Sequence, residues 1–226
     1  MQKIAVVTGG SKGIGLAIVK KLITENFKVI VAARTIGELD TENKNIIFIE
    51  TDLTQRKDIE NFCNEVKNNT SQIDILVNNA GVFMPGQIHS ETKDAFDIQM
   101  RLNVAAPYHL TRSLLNLMMP FKSGYIFNIC STASIVPYIN GGSYCISKHA
   151  FLGFSKVLRQ EMIAYNIGVS SILPGATLTN SWLGTELPKE RFIQPETIAN
   201  ALWFAWQNRE NCIMEEILLR PMEGDI

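Results

Sequence analysis

Seven short runs rich in Val and Ile constrain the fold of this chain more than any other feature. They lie at 4–7, 29–32, 46–49, 73–77, 125–129, 169–173 and 217–219. Most are apolar at successive positions, so they present no wet face. Such strands belong in a parallel sheet covered on both sides. Between them lie segments of helical period near 14–25, 55–69, 92–118, 143–165 and 196–207. This alternation predicts a doubly wound α/β fold, and 226 residues suit a single domain of that class. One crossover breaks the rhythm. Only about a dozen residues separate Arg34 from the run at 46, so a loop or a single turn is expected there rather than a full helix. Pro188 and Pro195 bracket a polar stretch that reads as a surface loop or mobile lid, not a domain boundary.

The first run ends in Thr8-Gly9-Gly10-Ser11-Lys12-Gly13-Ile14-Gly15 and passes directly into a helical segment. A strand, a tight turn and a helix N-terminus aim backbone N–H groups and the positive end of a helix dipole at an anion. Glycines let the backbone approach a pyrophosphate and let helix and strand pack closely. A dinucleotide site is expected here. In the NAD-type arrangement, an acidic residue at the end of the second strand binds the ribose 2′-hydroxyl. Here that strand ends in Ala33-Arg34. The planar fork of Arg34, with Lys12 in the turn, suits a 2′-phosphate, so NADP(H) is expected in preference to NAD(H).

A second constellation follows. Tyr144 and Lys148 are four apart in a helical segment and share one face. Ser131 lies just past the fifth run, at the carboxyl end where open α/β sheets place their ligands. Asn103 falls inside the long helical pattern 92–118, where it is expected to bend the helix or bind water through a freed carbonyl.

With these residues in place, the sequence resembles the classical short-chain dehydrogenase/reductase (SDR) family over nearly its whole length. The segment 8–15 matches that family's TGxxxGxG turn. Asp52 matches the acid that contacts the adenine, Asn78-Asn79-Ala80-Gly81 the NNAG segment, and Pro174-Gly175 with Thr179 the PGxxxT turn facing the nicotinamide. Asn103, Ser131, Tyr144 and Lys148 fall on its Asn-Ser-Tyr-Lys tetrad. The resemblance implies a Rossmann-type sheet of about seven strands in the order 3-2-1-4-5-6-7. It also implies a cofactor site drawn from Thr8, Gly9, Ser11, Lys12, Gly13, Ile14, Gly15, Arg34, Asp52, Leu53, Asn79, Ala80, Gly81, Tyr144, Lys148, Pro174, Gly175, Thr177 and Thr179. In the implied mechanism Tyr144 is general acid for carbonyl reduction and base in reverse. Lys148 holds the nicotinamide ribose and favours negative charge on the tyrosine oxygen. Ser131 orients the substrate oxygen, and Asn103 holds a water linking Lys148 to solvent. A homodimer or homotetramer built on the segments 92–118 and 143–165 is implied as well.

Several features depart from the family pattern. Cys130 stands where a second serine is common, and Cys145 follows Tyr144; both read as small, partly buried side chains. The short crossover after Arg34 suggests an open adenosine pocket, and the brief substrate loop 181–194 an open active site. The C-terminal segment lacks the glycine-rich end of the fatty-acid-synthesis ketoacyl reductases, which argues against that substrate. Trp203 and Trp206 read as core or subunit-interface packing, and Met118 and Met119 as core.

The remaining composition excludes other classes. Net charge is -1 with no run of like charges, which leaves no basic stripe for nucleic acid. No stretch reads as a signal peptide or bilayer span. Cys63, Cys130, Cys145 and Cys212 form no CxxC and no zinc-like spacing, as expected of reduced thiols in a cytoplasmic protein. His89, His109 and His149 form no cluster, and no metal site is expected. The reading is therefore an NADP(H)-dependent oxidoreductase interconverting a small ketone or aldehyde and an alcohol, with its substrate set by the loops 83–90 and 181–194. The alternatives are a cofactor-binding regulatory protein of the same fold, against which the full tetrad argues, and an extended-type sugar-nucleotide epimerase or dehydratase, for which the chain is short.

Overall fold

In a computed structural model that describes residues 2–40, 42–182 and 184–225, the seven apolar runs form one parallel sheet. In chain order the strands are β1 (Ile4–Thr8), β2 (Lys28–Ala33), β3 (Ile46–Glu50), β4 (Ile75–Asn78), β5 (Tyr125–Ile129), β6 (Gly168–Pro174) and β7 (Glu216–Leu219). Their spatial order is β3-β2-β1-β4-β5-β6-β7, and every pairing is parallel. The order reverses between β1 and β4, which opens a crevice at their carboxyl ends.

The helices are α1 (Gly13–Thr24), α2 (Arg56–Asn69), α3 (Ala95–Met100), α4 (Ala106–Leu114), α5 (Gly142–Met162) and α6 (Pro195–Gln207). Two hydrophobic clusters explain why the strands are apolar at successive positions. Ala5, Val7, Val29, Val31, Ile75 and Val77 point to one face and pack with Leu16, Val19, Leu202 and Trp206 of α1 and α6. Val6, Ile30 and Leu76 point to the other face and meet Phe62, Leu110 and Leu158 of α2, α4 and α5. Alternate side chains of one strand thus serve opposite cores. Trp206 and Met118 are buried, as their patterns suggest.

Two sequence expectations need correction. The strand expected at 73–77 begins at Ile75; Ile73 lies before it and donates its N–H to the Leu117 carbonyl. The segment 92–118 is not one uniform helix. It begins at Ala95, passes through a π turn at Arg101–Ala105 that contains Asn103, resumes as α4, and ends in a 3₁₀ turn at Leu115–Leu117. The cause is legible in Pro107, which has no N–H to give the carbonyl of Asn103 in α-helical register.

Among its described residues the crossover after β2 holds no helix. Gly37 (φ 56°) folds the chain back so that Glu38 donates its N–H to the Ser11 carbonyl at 3.0 Å, and Leu39 is buried in the α1 core. The loop is therefore fastened to the glycine turn and does not hang free beside it.

Candidate active site

The glycine turn is shaped by close approach. Gly9 has φ 65°, and its N–H donates to the Ala32 carbonyl at 2.7 Å. A Cβ on Gly15 would stand 2.2 Å from the Gly9 carbonyl oxygen and 2.5 Å from Asn79 Nδ2. Only glycine fits there. The turn is braced from β4. Thr8 Oγ1 donates to the Val77 carbonyl at 3.3 Å and accepts from the N–H groups of Asn79 and Ala80, each at 3.0 Å. Asn79 Nδ2 donates to the carbonyls of Thr8 (2.9 Å) and Gly9 (3.1 Å). Ser11 is buried, Ile14 lines the cleft, and Lys12 stands at the N-cap position of α1 with its side chain exposed and no capping bond from it. A cradle that side chains cannot enter, at the N-terminus of a 12-residue helix, fits a pyrophosphate.

At the other end of the crevice, Arg34 is exposed at the end of β2. Asp52 accepts from Thr54 N (2.9 Å) and Thr54 Oγ1 (2.8 Å). Burial raises its pKa, but these two bonds and the nearby charge of Arg34 outweigh that and hold the carboxyl below its usual range. Leu53 packs into the core against α2.

A cleft of about 380 Å³ opens at the carboxyl ends of β4, β5 and β6. Ser131, Tyr144 and Lys148 line it together. Tyr144 stands in the first turn of α5, and Lys148 one turn on. Lys148 is buried, donates from Nζ to the Ile129 carbonyl at 3.0 Å, and lies 5.8 Å from the Tyr144 ring centre. Ser131 caps a short 3₁₀ turn, Thr132–Ser134. Its Oγ accepts from Ala133 N at 3.1 Å, which keeps the hydroxyl proton for a ligand. Asn103 is buried in the π turn. Its Oδ1 accepts from Val82 N (2.8 Å), and its Nδ2 donates to the Val82 carbonyl and to Ser147 Oγ, both at 3.0 Å. Gly81 sits between Asn103 and Lys148; a Cβ there would meet Asn103 Oδ1 at 3.2 Å and Lys148 Nζ at 3.7 Å.

Pro174, Gly175, Thr177 and Thr179 form the far wall. Thr177 Oγ1 donates to the Gly175 carbonyl at 3.0 Å, and Thr179 approaches Gly13, so this wall closes over the glycine turn. The loop 181–194 contributes Trp182, which packs on Phe192 with ring centres 4.9 Å apart; Leu183 lies outside the described residues. Arg191 ties the loop to the carbonyls of Gly224 (2.9 Å) and Asp225 (3.1 Å), and Asp225 also reaches the cleft.

Cys130 is buried beneath this site. Burial pushes its thiol up to about 11, against the lowering effect of the Lys148 ammonium. Tyr138, which no motif in the sequence marks, lines the cleft with Tyr144. Burial, then the neighbouring Tyr144 and Cys145, raise its hydroxyl well above the usual tyrosine range. Phe83, within the loop 83–90 expected to set the substrate, lines the cleft as well, whereas Glu91 carries no signal in the sequence. Both lie in the irregular segment before α3, where no periodic signal marks them.

A glycine cradle for a phosphate anion and, in the adjoining cleft, a tyrosine and a lysine on one helix face define a dinucleotide-dependent oxidoreductase site. The comparisons carry this to a family. The family described as short chain dehydrogenase matches residues 3–187. The sepiapterin reductase of Chlorobaculum tepidum is 30% identical over 241 residues, covering 100% of this chain and 99% of its own. A metagenomic short-chain oxidoreductase in complex with NADP is 29% identical with TM-score 0.83, covering 97% of each chain. An alcohol dehydrogenase from Thermococcus sibiricus shares the fold at TM-score 0.90 with 21% identity, over 100% of this chain and 99% of its own. This chain belongs to the short-chain dehydrogenase family, and it is an enzyme acting on CH–OH groups. Among the described residues no helix is long and apolar enough to cross a membrane, and no cluster of His, Cys, Asp or Glu is fit to hold a metal ion.

Proposed function

We propose that the whole chain acts as one NADP(H)-binding domain, with 181–194 as its substrate loop, and reduces a ketone or aldehyde to an alcohol or runs the reverse reaction. The observation that carries this reading is the convergence of Ser131, Tyr144 and Lys148 on one cleft that continues into the glycine cradle. NADPH, when bound, supplies the hydride. The chain's own groups position and protonate. Ser131 Oγ donates a hydrogen bond to the substrate oxygen as charge develops there. Tyr144 passes its hydroxyl proton to that oxygen, and takes a proton in the reverse direction. Lys148, held by the Ile129 carbonyl, supplies a fixed positive charge that favours negative charge on the tyrosine oxygen. Asn103 fixes Val82 and Ser147, which keeps the segment after Gly81 in register with α5. Its backbone carbonyl, opposite Pro107, is the group we assign to a water on the path from Lys148 to solvent.

The cofactor is assigned as NADP(H) because Arg34 stands at the end of β2 with no carboxylate in its place, and because a relative at 29% identity is an NADP complex. Phe83, Val136, Tyr138 and Trp182 line the substrate side, which suits an apolar or aryl carbonyl compound. We assign the chain to the cytoplasm, with its free cysteines kept reduced, and to a homodimer or homotetramer through α4 and α5, which expose Tyr108, Ile146 and Val157. The test is oxidation of NADPH, followed at its absorbance band, with a panel of carbonyl compounds. Tyr144→Phe is expected to abolish turnover and leave NADPH binding intact. Turnover that survives in Tyr144→Phe removes the role given to Tyr144.

A further inference from the structure

The helix that carries Tyr144 and Lys148 has no cap of its own. No side chain at the start of α5 bonds its free N–H groups, and its first turn holds no acid. Its Asn140-Gly141-Gly142-Ser143 start offers no local carboxylate. The cap comes instead from Glu91, 52 residues earlier, in the irregular segment before α3. Glu91 Oε2 accepts from Ser143 N at 3.1 Å, and Oε1 accepts from Ser143 Oγ. Ser143 is buried and immediately precedes Tyr144. A carboxylate at this end of a 21-residue helix also meets the positive end of its dipole.

Three glycines make the approach possible. A Cβ on Gly142 would meet Glu91 Oε2 at 2.8 Å and the Gly86 carbonyl oxygen at 2.6 Å. One on Gly86 would meet the Glu91 Cβ at 2.5 Å. Gly86 and Gly141 form an isolated parallel bridge, with Gly86 N donating to the Asn140 carbonyl at 2.9 Å. From the same segment, Phe83 meets the Tyr144 ring edge-on with centres 4.9 Å apart. The segment 82–91 therefore touches the catalytic turn twice, once at the tyrosine ring and once at the peptide before it.

We propose that Glu91 is a positioning residue for Tyr144: its carboxylate seats the first turn of α5, and with it the tyrosine hydroxyl, against Ser131 and the substrate. This inference rests on the oxidoreductase reading given above. The carboxylate bonds of Glu91 run to Ser143, so its removal is expected to act on kcat and not on NADPH.

The test uses the full-length enzyme with NADPH and ethyl benzoylformate, an aryl keto ester. Glu91→Ala is expected to lower kcat about tenfold, since small misplacements of a reacting group cost that much or more. Its KM for NADPH is expected to stay within about twofold. Glu91→Gln keeps an acceptor for Ser143 N and a donor for Ser143 Oγ, and is expected to recover kcat to within about threefold of the parent. Ser143→Ala added to Glu91→Ala is expected to cost little more than either alone. An unchanged kcat in Glu91→Ala, a Gln variant as slow as the Ala variant, or a parallel loss of NADPH affinity overturns the proposal. A parent enzyme that reduces no carbonyl compound overturns the oxidoreductase reading, and this one with it.

Discussion

Gly15→Ala is the most direct probe of the cradle. The added Cβ would stand 2.2 Å from the Gly9 carbonyl oxygen, whereas a comfortable carbon–oxygen contact is about 3.3 Å. The turn must therefore open by about 1 Å. Asn79 Nδ2, which the same Cβ would meet at 2.5 Å, is pushed off the carbonyls of Thr8 and Gly9. Losing two hydrogen bonds at about 1 kcal/mol each costs roughly 2 kcal/mol, which for a chain of this size is a fall of about 4–8 °C in Tm. The same opening moves the N–H groups meant for the pyrophosphate, and a comparable loss there weakens NADPH about 30-fold. Thermal unfolding by circular dichroism and a fluorescence titration with NADPH measure the two effects. Gly153→Ala is the control. Gly153 lies within α5, away from the cradle, so this change is expected to leave NADPH affinity unaltered. A Gly15→Ala protein with a Tm within about 1 °C of the parent and unaltered NADPH affinity would refute the reasoning.

Other outcomes follow from the same geometry. Arg34→Ala is expected to raise the Kd for NADPH about tenfold or more, the loss of one charge-assisted contact, and to leave NADH nearly unchanged; equal losses for the two would remove the phosphate assignment. Gly81→Ala places a methyl 3.2 Å from Asn103 Oδ1 and 3.7 Å from Lys148 Nζ, and is expected to lower kcat several-fold, read by steady-state kinetics at saturating NADPH. The raised thiol of Cys130 gives a pH dependence. The folded protein holds that proton up to about 11, whereas an exposed thiol releases it near 9.0, so ionisation favours the unfolded chain. Stability is thus intact below pH 9 and falls as pH rises toward 11. Urea midpoints across that range are expected to decline less steeply in Cys130→Ala than in the parent.

Much of the fold was written in the pattern of apolar runs, because strands buried on both faces must be apolar at successive positions. Val6 and Val7 illustrate this, pointing into different clusters. The family resemblance supplied the strand order, which apolar pattern alone does not encode. The glycine turn was legible because its chemistry is local. The π turn at Asn103 was legible only in part: Asn103 and Pro107 mark a weak point in a helix, but neither tells a π turn from a simple kink. Glu91 was not legible. Its partner, Ser143, is 52 residues away, and a lone acid in an irregular segment looks like any solvated carboxylate. The seating of Leu39 and Gly37 onto the turn was hidden for the same reason, since loop contacts leave no period in a sequence.

The fastening of the loop after β2 to the Ser11 carbonyl has a consequence for redesign. By position alone, the residues around Arg34 would form a module separate from the pyrophosphate turn. Here the two are one mechanical unit. Any insertion or bulkier residue at Gly37 pushes on the carbonyl of Ser11, and so on the turn itself. A change meant to swap one dinucleotide for the other will weaken both, unless the new loop keeps a residue that tolerates positive φ at 37 and the backbone N–H at 38.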